Sequence, residues 1–295
     1  MKEWKITLAQ LAPTLMEVRE NAERALAVMY ESARRGSGLI VLPELYLSGY
    51  AVSGCIRGEA EKRALRADVT NGLSMLREGG KKSKTDILVS YTLFEDGTEK
   101  PYIALEYIAG GETLALHRKI NLCNYAQYTE HLNFTAGDEV VVAKSERGNA
   151  GLFVCEDLWH VTNAIFSVKL GAEVLFYPSA ATVLERGAAP GCLRNWQRLT
   201  VGTAFSQTSY VVCCNQAAGG GEYYFGGSHM VAPDGELLLQ LPFFEEAVAD
   251  VVLDGKLLRE IREMRPLVAN ERLDIYRKYI KGSARWTKEA FFSFS

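Results

Sequence analysis

Three apolar stretches of this chain each end on an ionisable side chain. They are Leu39-Ile40-Val41-Leu42-Pro43-Glu44, Leu116-His117-Arg118-Lys119-Ile120 and Gly151-Leu152-Phe153-Val154-Cys155-Glu156-Asp157. A carboxylate, an ammonium and a thiol at three strand ends are the groups of a Cys-Glu-Lys hydrolytic centre, and that reading predicts amide cleavage without a metal. Cysteine attacks as the thiolate, and its free pKa of about 8.5 leaves little of it ionised at neutral pH. It needs a base or a nearby cation, and donors for the oxyanion that forms on the attacked carbonyl. Glu44 is the candidate to take the thiol proton and hand it to departing ammonia. Lys119 is the candidate to hold the developing negative charge, aided by the backbone N–H of Glu156.

Alternating strands and helices must position these groups. Ile6 to Leu11 reads as a strand, and residues 17–35 place Val18, Ala22, Ala25, Leu26, Met29 and Ala33 at helical spacing. Leu39 to Leu42 is a continuous apolar strand, buried on both faces. Glu59 to Glu78 is a second helix, and the basic run Lys81-Lys82-Ser83-Lys84 reads as a solvated loop. Strands are expected at 86–94, 102–108 and 113–117, with turns at Asp96-Gly97 and Gly110-Gly111. The second half repeats the architecture. Strands are expected at 140–143, 150–154, 173–177 and 209–214, and helices at 159–170 and 193–207. Segments 228–231, 237–241 and 247–252 read as a late antiparallel set, and 257–264 as a short helix.

Composition bounds the alternatives. A chain of 295 residues with 48% hydrophobic and 23% charged residues can bury a large core. A net charge of −3 gives no electrostatic reason to expect a nucleic-acid partner. The N-terminus alternates like a strand, with no signal-peptide core, and no window approaches the roughly 20 apolar residues of a membrane span. A cytoplasmic location is expected. The six cysteines and four histidines lack metal-ligand spacing, so neither a metal nor another cofactor is expected. No linker divides the halves. Residues 1–265 read as one domain, and 266–295 as a tail packing on the body or on a neighbouring subunit.

The words around the three residues carry a resemblance. Pro43-Glu44 followed by Leu47-Ser48-Gly49-Tyr50, then His117-Arg118-Lys119-Ile120-Asn121-Leu122, then Val154-Cys155-Glu156-Asp157 resemble the three signatures of the nitrilase, or carbon–nitrogen hydrolase, superfamily. Gly171-Ala172-Glu173-Val174-Leu175, Phe225-Gly226-Gly227-Ser228 and Pro233-Asp234-Gly235 match further landmarks, so the resemblance covers roughly residues 4 to 255. It implies an α/β fold, the four-layer α-β-β-α sandwich. It also implies Glu44 as general base, Lys119 as oxyanion stabiliser and Cys155 as nucleophile. The segment from Asn121 to Glu130 resembles the glutaminase domain of glutamine-dependent NAD synthetases, where a substrate-positioning glutamate falls where Glu130 does. Cys155-Glu156-Asp157-Leu158-Trp159 points to the same branch, and to amide rather than nitrile hydrolysis. With no Ser-Gly-Gly-x-Asp-Ser loop, no attached synthetase domain is expected. The resemblance further implies a small linear carboxamide as substrate and a homo-oligomer, dimer or larger.

Other readings stand beside these. An N-carbamoyl hydrolase, a stand-alone glutaminase feeding a separate synthetase and a non-catalytic subunit on the same fold remain alternatives. Cys155 taken alone would suit a buried structural thiol, and Glu130 a helix-start or surface carboxylate. Tyr125 and Glu156 are candidate substrate-positioning residues that could equally be structural. Trp159 reads as a core anchor, and Cys213-Cys214 as facing two sides of a buried strand. Gly219-Gly220-Gly221 reads as a flexible loop near the pocket.

Overall fold

On two neighbouring strands, successive apolar residues alternate between two hydrophobic clusters. On β8 (Val174–Ser179), Val174 and Phe176 join the core between the sheets, while Leu175 and Tyr177 join the layer beneath the outer helices. On β9 (Tyr210–Asn215), Val212 and Cys214 face inward, and Val211 and Cys213 outward. This period of two, with both faces apolar, is the pattern of a sheet covered on both sides. The computed structural model describes residues 1–51, 56, 58–126, 128–217 and 224–282.

The chain forms two six-stranded sheets. The first contains β1 (Trp4–Gln10), β2 (Leu39–Val41), β3 (Asp86–Leu93), β4 (Tyr102–Ala109), β5 (Glu112–Arg118) and β12 (Ala247–Leu253), in the order β12-β1-β2-β3-β4-β5. The second runs β11-β10-β9-β8-β7-β6, with β6 (Val141–Lys144), β7 (Asn149–Leu152), β10 (His229–Val231) and β11 (Leu237–Gln240) beside β8 and β9. Helices α1 (Val18–Arg34) and α2 (Glu59–Ser83) cover the first sheet. Helices α3 (Val161–Lys169) and α4 (Ala189–Gln207) cover the second. Trp4 and Phe176 meet edge to face across the interior, their centroids 6.0 Å apart. The result is the expected four-layer α-β-β-α sandwich.

The two sheets share one pairing pattern. Reading from β12 or from β6, each runs antiparallel, parallel, parallel, antiparallel, antiparallel. The repetition read from the sequence is therefore a repetition of topology. One expectation changes: β12 does not extend the late antiparallel set but crosses to pair with β1, from Trp4↔Leu253 to Gln10↔Ala247. Leaving β1 as an edge would expose its backbone donors and acceptors, and β12 satisfies them.

Helix ends differ in three further places. Helix α2 runs on through Lys81-Lys82-Ser83 to a left-handed cap at Lys84, so the basic run is helical rather than a loop. Its Gly79 lies so close to Leu26 of α1 that a Cβ there would stand 2.2 Å from Leu26 Cδ2. Helix α4 starts at Ala189, with Pro190 in its first turn where the missing N–H costs nothing. The helix expected at 159–170 is α3, which starts only at Val161, because Trp159 closes a separate 3₁₀ turn, Cys155–Trp159.

After α5 (Gly255–Met264), α6 (Leu267–Asn270) packs against α3 and α4, and α7 (Leu273–Gly282) meets α3 through Tyr276, whose ring lies 6.5 Å from that of Phe166. The tail beyond residue 282 and Gly219-Gly220-Gly221 lie outside the described residues. Among the described residues no helix is long and apolar enough to cross a membrane.

Candidate active site

Parallel strands bring their C-terminal ends to one edge of a sheet, and this edge is where α/β folds bind ligands. Glu44 follows the end of β2, Cys155 the end of β7, and Ala180 and Gln216 the ends of β8 and β9. The two edges are stitched together at Glu44. Its Oε2 accepts the Ala180 N–H at 3.0 Å, and its carbonyl accepts Gln216 Nε2 at 2.7 Å. Leu45 N–H donates to Ser90 Oγ at 2.9 Å, fixing the backbone just beyond. The carboxylate is fully buried.

Lys119 leaves the end of β5, held by its N–H on the Ile103 carbonyl at 2.9 Å and by the Gly137 N–H on its own carbonyl at 2.7 Å. Its ammonium is fully buried between two carboxylates, 2.7 Å from Glu44 Oε1 and 2.8 Å from Glu130 Oε1. An ammonium has three donors, so one remains for a third acceptor. Glu130, in the 3₁₀ segment Glu130–Leu132, also accepts Tyr50 OH at 2.5 Å and the Cys123 N–H at 2.8 Å. It is a buried member of this cluster, not a surface carboxylate.

Cys155 opens the 3₁₀ turn with a φ of 46°, in the left-handed region that side chains other than glycine seldom occupy. Such a turn thrusts the side chain out from the strand end. The residue is partly accessible and lines a cavity of about 190 Å³. Glu44 and Lys119 both act on its thiol electrostatically, and Ala180, whose N–H binds Glu44 Oε2, lines the same cavity. The thiol therefore lies in the cavity wall, with the buried carboxylate of Glu44 and the ammonium of Lys119 behind it.

Their electrostatics follow from burial and mutual charge. Burial pushes the Glu44 carboxyl up to about 7; Lys119 pulls it down and Glu130 adds to the rise. Burial alone would lower the Lys119 ammonium, but Glu44 and Glu130 together hold it well above its ordinary value. Burial, reinforced by Glu44, pushes the Cys155 thiol well up against the pull of Lys119. The cluster thus holds a protonated thiol beside a carboxylate that exchanges protons near neutrality, with a permanent positive charge at its back.

The cavity wall holds Tyr50, Tyr125, Tyr128, Thr182, Trp159 and Trp196, with the thiols of Cys123 and Cys192 and the carboxylate of Glu156. Tyr125 OH donates to Glu156 Oε2 at 2.8 Å, and His160 Nε2 stands 3.5 Å from Glu156 Oε1. Trp159 and Trp196 meet edge to face at 5.8 Å. Among the described lining residues the charged side chains are carboxylates. Two grooves of about 250 and 310 Å³ lie elsewhere, one at Phe94, Lys100 and Phe134 and one at Arg262 and Val268, away from this cluster.

Of the six residues singled out from the sequence, Cys155, Glu130, Tyr125 and Glu156 line this cavity, while Glu44 and Lys119 are buried behind it and joined to it through Glu130. Trp159 is not the expected core anchor: it is 39% exposed and stands in the wall. Sequence reasoning missed Tyr50, Tyr128, Thr182, Trp196, Cys192 and the Ala180 N–H. Tyr50 alone had a signal, since it closes the Leu47-Ser48-Gly49-Tyr50 word. Cys213 and Cys214 face opposite layers as read.

Comparison with known proteins places this geometry. The profile of the carbon-nitrogen hydrolase family matches residues 5–263. A glutamine-dependent NAD(+) synthetase of Thermotoga maritima is 30% identical over 262 residues, covering 86% of this chain and 42% of the synthetase. The chain thus spans less than half the length of that relative. A chloroplastic omega-amidase of Arabidopsis thaliana is 28% identical over 283 residues, covering 94% of this chain and 74% of that protein. Among solved structures, an amidase of Nesterenkonia from the nitrilase superfamily superposes with a TM-score of 0.77 at 23% identity, over 94% of this chain and 97% of the other.

Proposed function

The chain belongs to the carbon–nitrogen hydrolase family, and we propose that it hydrolyses an amide-type C–N bond, cleaving a small linear carboxamide to acid and ammonia through a thioester on Cys155. The observation that supports this reading is the buried Glu44–Lys119–Glu130 cluster set directly behind Cys155, which lines the cavity with Glu130. Glu44 takes the thiol proton as the sulfur attacks the carbonyl carbon. The carbonyl π electrons move to oxygen, and the oxyanion is met by the third Lys119 donor and the Glu156 N–H at the start of the 3₁₀ turn. The C–N bond then breaks, and ammonia departs with the proton held by Glu44. Water, deprotonated by Glu44, attacks the thioester, and the sulfur leaves with that proton. The sum is one amide and one water converted to one acid and one ammonia.

A base with a pKa near the working pH suits both halves of this cycle, since it must accept and return the same proton. Glu130 anchors Lys119 and Tyr50, and so orients the oxyanion donor. The wall supports an amide whose far end is neutral or positively charged: Glu156 and the aromatic rings would favour it, and a carboxylate there would face like charge. Cys155→Ala should abolish ammonia release with little change in the thermal midpoint. Retained activity in that variant would remove the thiol from the mechanism. A panel of amides, carbamoyl amines and nitriles identifies the substrate. Carbon dioxide released with the ammonia would mark a carbamoyl hydrolase, and stimulation by an added synthetase a glutaminase subunit.

A further inference from the structure

Two side chains that the hydrolytic scheme leaves unused bracket both reactive groups. His117 stands two residues before Lys119, and Asp157 two residues after Cys155; both are fully buried. His117 Nε2 lies 3.1 Å from Asp157 Oδ2, joining the strand of the first sheet that delivers the lysine to the turn that delivers the thiol. The same carboxylate accepts the Val154 N–H at 3.0 Å, just before the nucleophile, and the Asn121 N–H at 2.8 Å, two residues beyond the lysine. Asn163 on α3 adds a brace, donating to Asn121 Oδ1 at 2.8 Å and to the Asp157 carbonyl at 3.1 Å.

The donor set fixes the chemistry of the pair. Two backbone N–H groups aim at Asp157, one at each oxygen, so the carboxylate acts as acceptor on both and His117 presents Nε2–H to it. That leaves His117 Nδ1 bare, and it is buried without a partner. A buried polar atom left unpaired is unfavourable, whereas an apolar side chain packed beside Phe153 would carry no such loss. The imidazole therefore does something that packing does not require. The nucleophile's left-handed backbone, moreover, persists only where its surroundings hold it.

We propose that His117 and Asp157 are positioning residues, forming a clamp that holds the Cys155 turn at a fixed place relative to Lys119. The clamp ensures that the sulfur, the Glu44 carboxylate and the Lys119 ammonium address the same carbonyl group. Neither side chain lines the cavity, and the proposed scheme gives neither of them a contact with substrate. The assignment rests on Cys155 being the nucleophile.

The test compares His117→Leu with His117→Gln, which keeps an N–H near the place of Nε2. One readout is ammonia release; the other is the iodoacetamide alkylation rate of each cysteine, followed by mass spectrometry. A misplacement of about 1 Å costs on the order of 10²-fold in rate. His117→Leu should therefore lose about that much in kcat while KM changes little, and His117→Gln should recover at least about tenfold of the loss. Cys155 alkylation should slow in the leucine variant while the fully buried Cys214 stays protected. An unchanged kcat per folded molecule, or activity lost only in step with Cys214 exposure, overturns the clamp. Should His117→Leu not fold, Asn163→Ala removes only the brace, and kcat should fall about tenfold at an unchanged thermal midpoint; no loss there overturns it equally. If the native enzyme releases ammonia from no amide, the amidase reading falls, while the alkylation comparison still decides the clamp.

Discussion

At the scale of single residues, the site is a balance of three charges in a place that disfavours any charge. Glu44 sits near 7 because burial and Glu130 outweigh Lys119. On the proposed mechanism Glu44 is the free enzyme's base and must be ionised, so kcat/KM should climb about tenfold per pH unit below 7 and level off above it, which a pH–rate profile reads directly. The same shift has a cost to folding. The folded protein binds this proton more tightly than the unfolded chain, whose carboxyl titrates near 4.5. The stability contributed by this group therefore falls as pH rises from 4.5 to 7, by roughly 2–3 kcal/mol. Urea midpoints of the native protein should drift downward across that window relative to Glu44→Gln. Lys119→Met should cut kcat by about 10²–10³-fold. It should also destabilise by about 3–5 kcal/mol by leaving two carboxylates face to face, and less at pH 5, where Glu44 can take a proton.

At the scale of elements, each reactive group owes its place to the end of a strand. Gly137 lies against the end of β5, where a Cβ would stand 2.3 Å from the Arg118 carbonyl oxygen. Gly137→Ala must therefore push the backbone that carries Lys119. A loss of about 1–3 kcal/mol in stability should accompany a larger fall in kcat than in KM, as denaturant unfolding and steady-state kinetics can both show. Glu44 and Cys155 were legible because each follows an apolar run that has no other reason to hold such a group, whereas Lys119, which follows the mixed strand Glu112–Arg118, was legible from its strand-end position and the word His117-Arg118-Lys119-Ile120. Trp196 was not, because its wall position depends on where α4 begins. The first turn, Ala189 to Cys192, has no large apolar residue to announce it. Asp157 could be read only as one letter of a word, since its partners His117 and Asn121 lie 40 and 36 residues away.

At the scale of the whole molecule, the doubled strand–helix pattern gave the two sheets and their covering helices, because buried parallel strands carry an unbroken apolar signature. It could not give the return of β12 to β1, which short polar–apolar alternation leaves undetermined: any antiparallel neighbour would satisfy it. That pairing makes a prediction. A chain cut after Met264 keeps β12 and should still unfold cooperatively. One cut after Phe244 loses the strand that covers β1 and should show no cooperative transition by circular dichroism.

The reactive groups are divided between the sheets: carboxylate and ammonium come from the first, and thiol from the second. Turnover therefore gauges the registry of one slab upon the other. Mild pressure or dilute denaturant that lets the slabs slide without melting either would silence the enzyme while its spectrum still looked native.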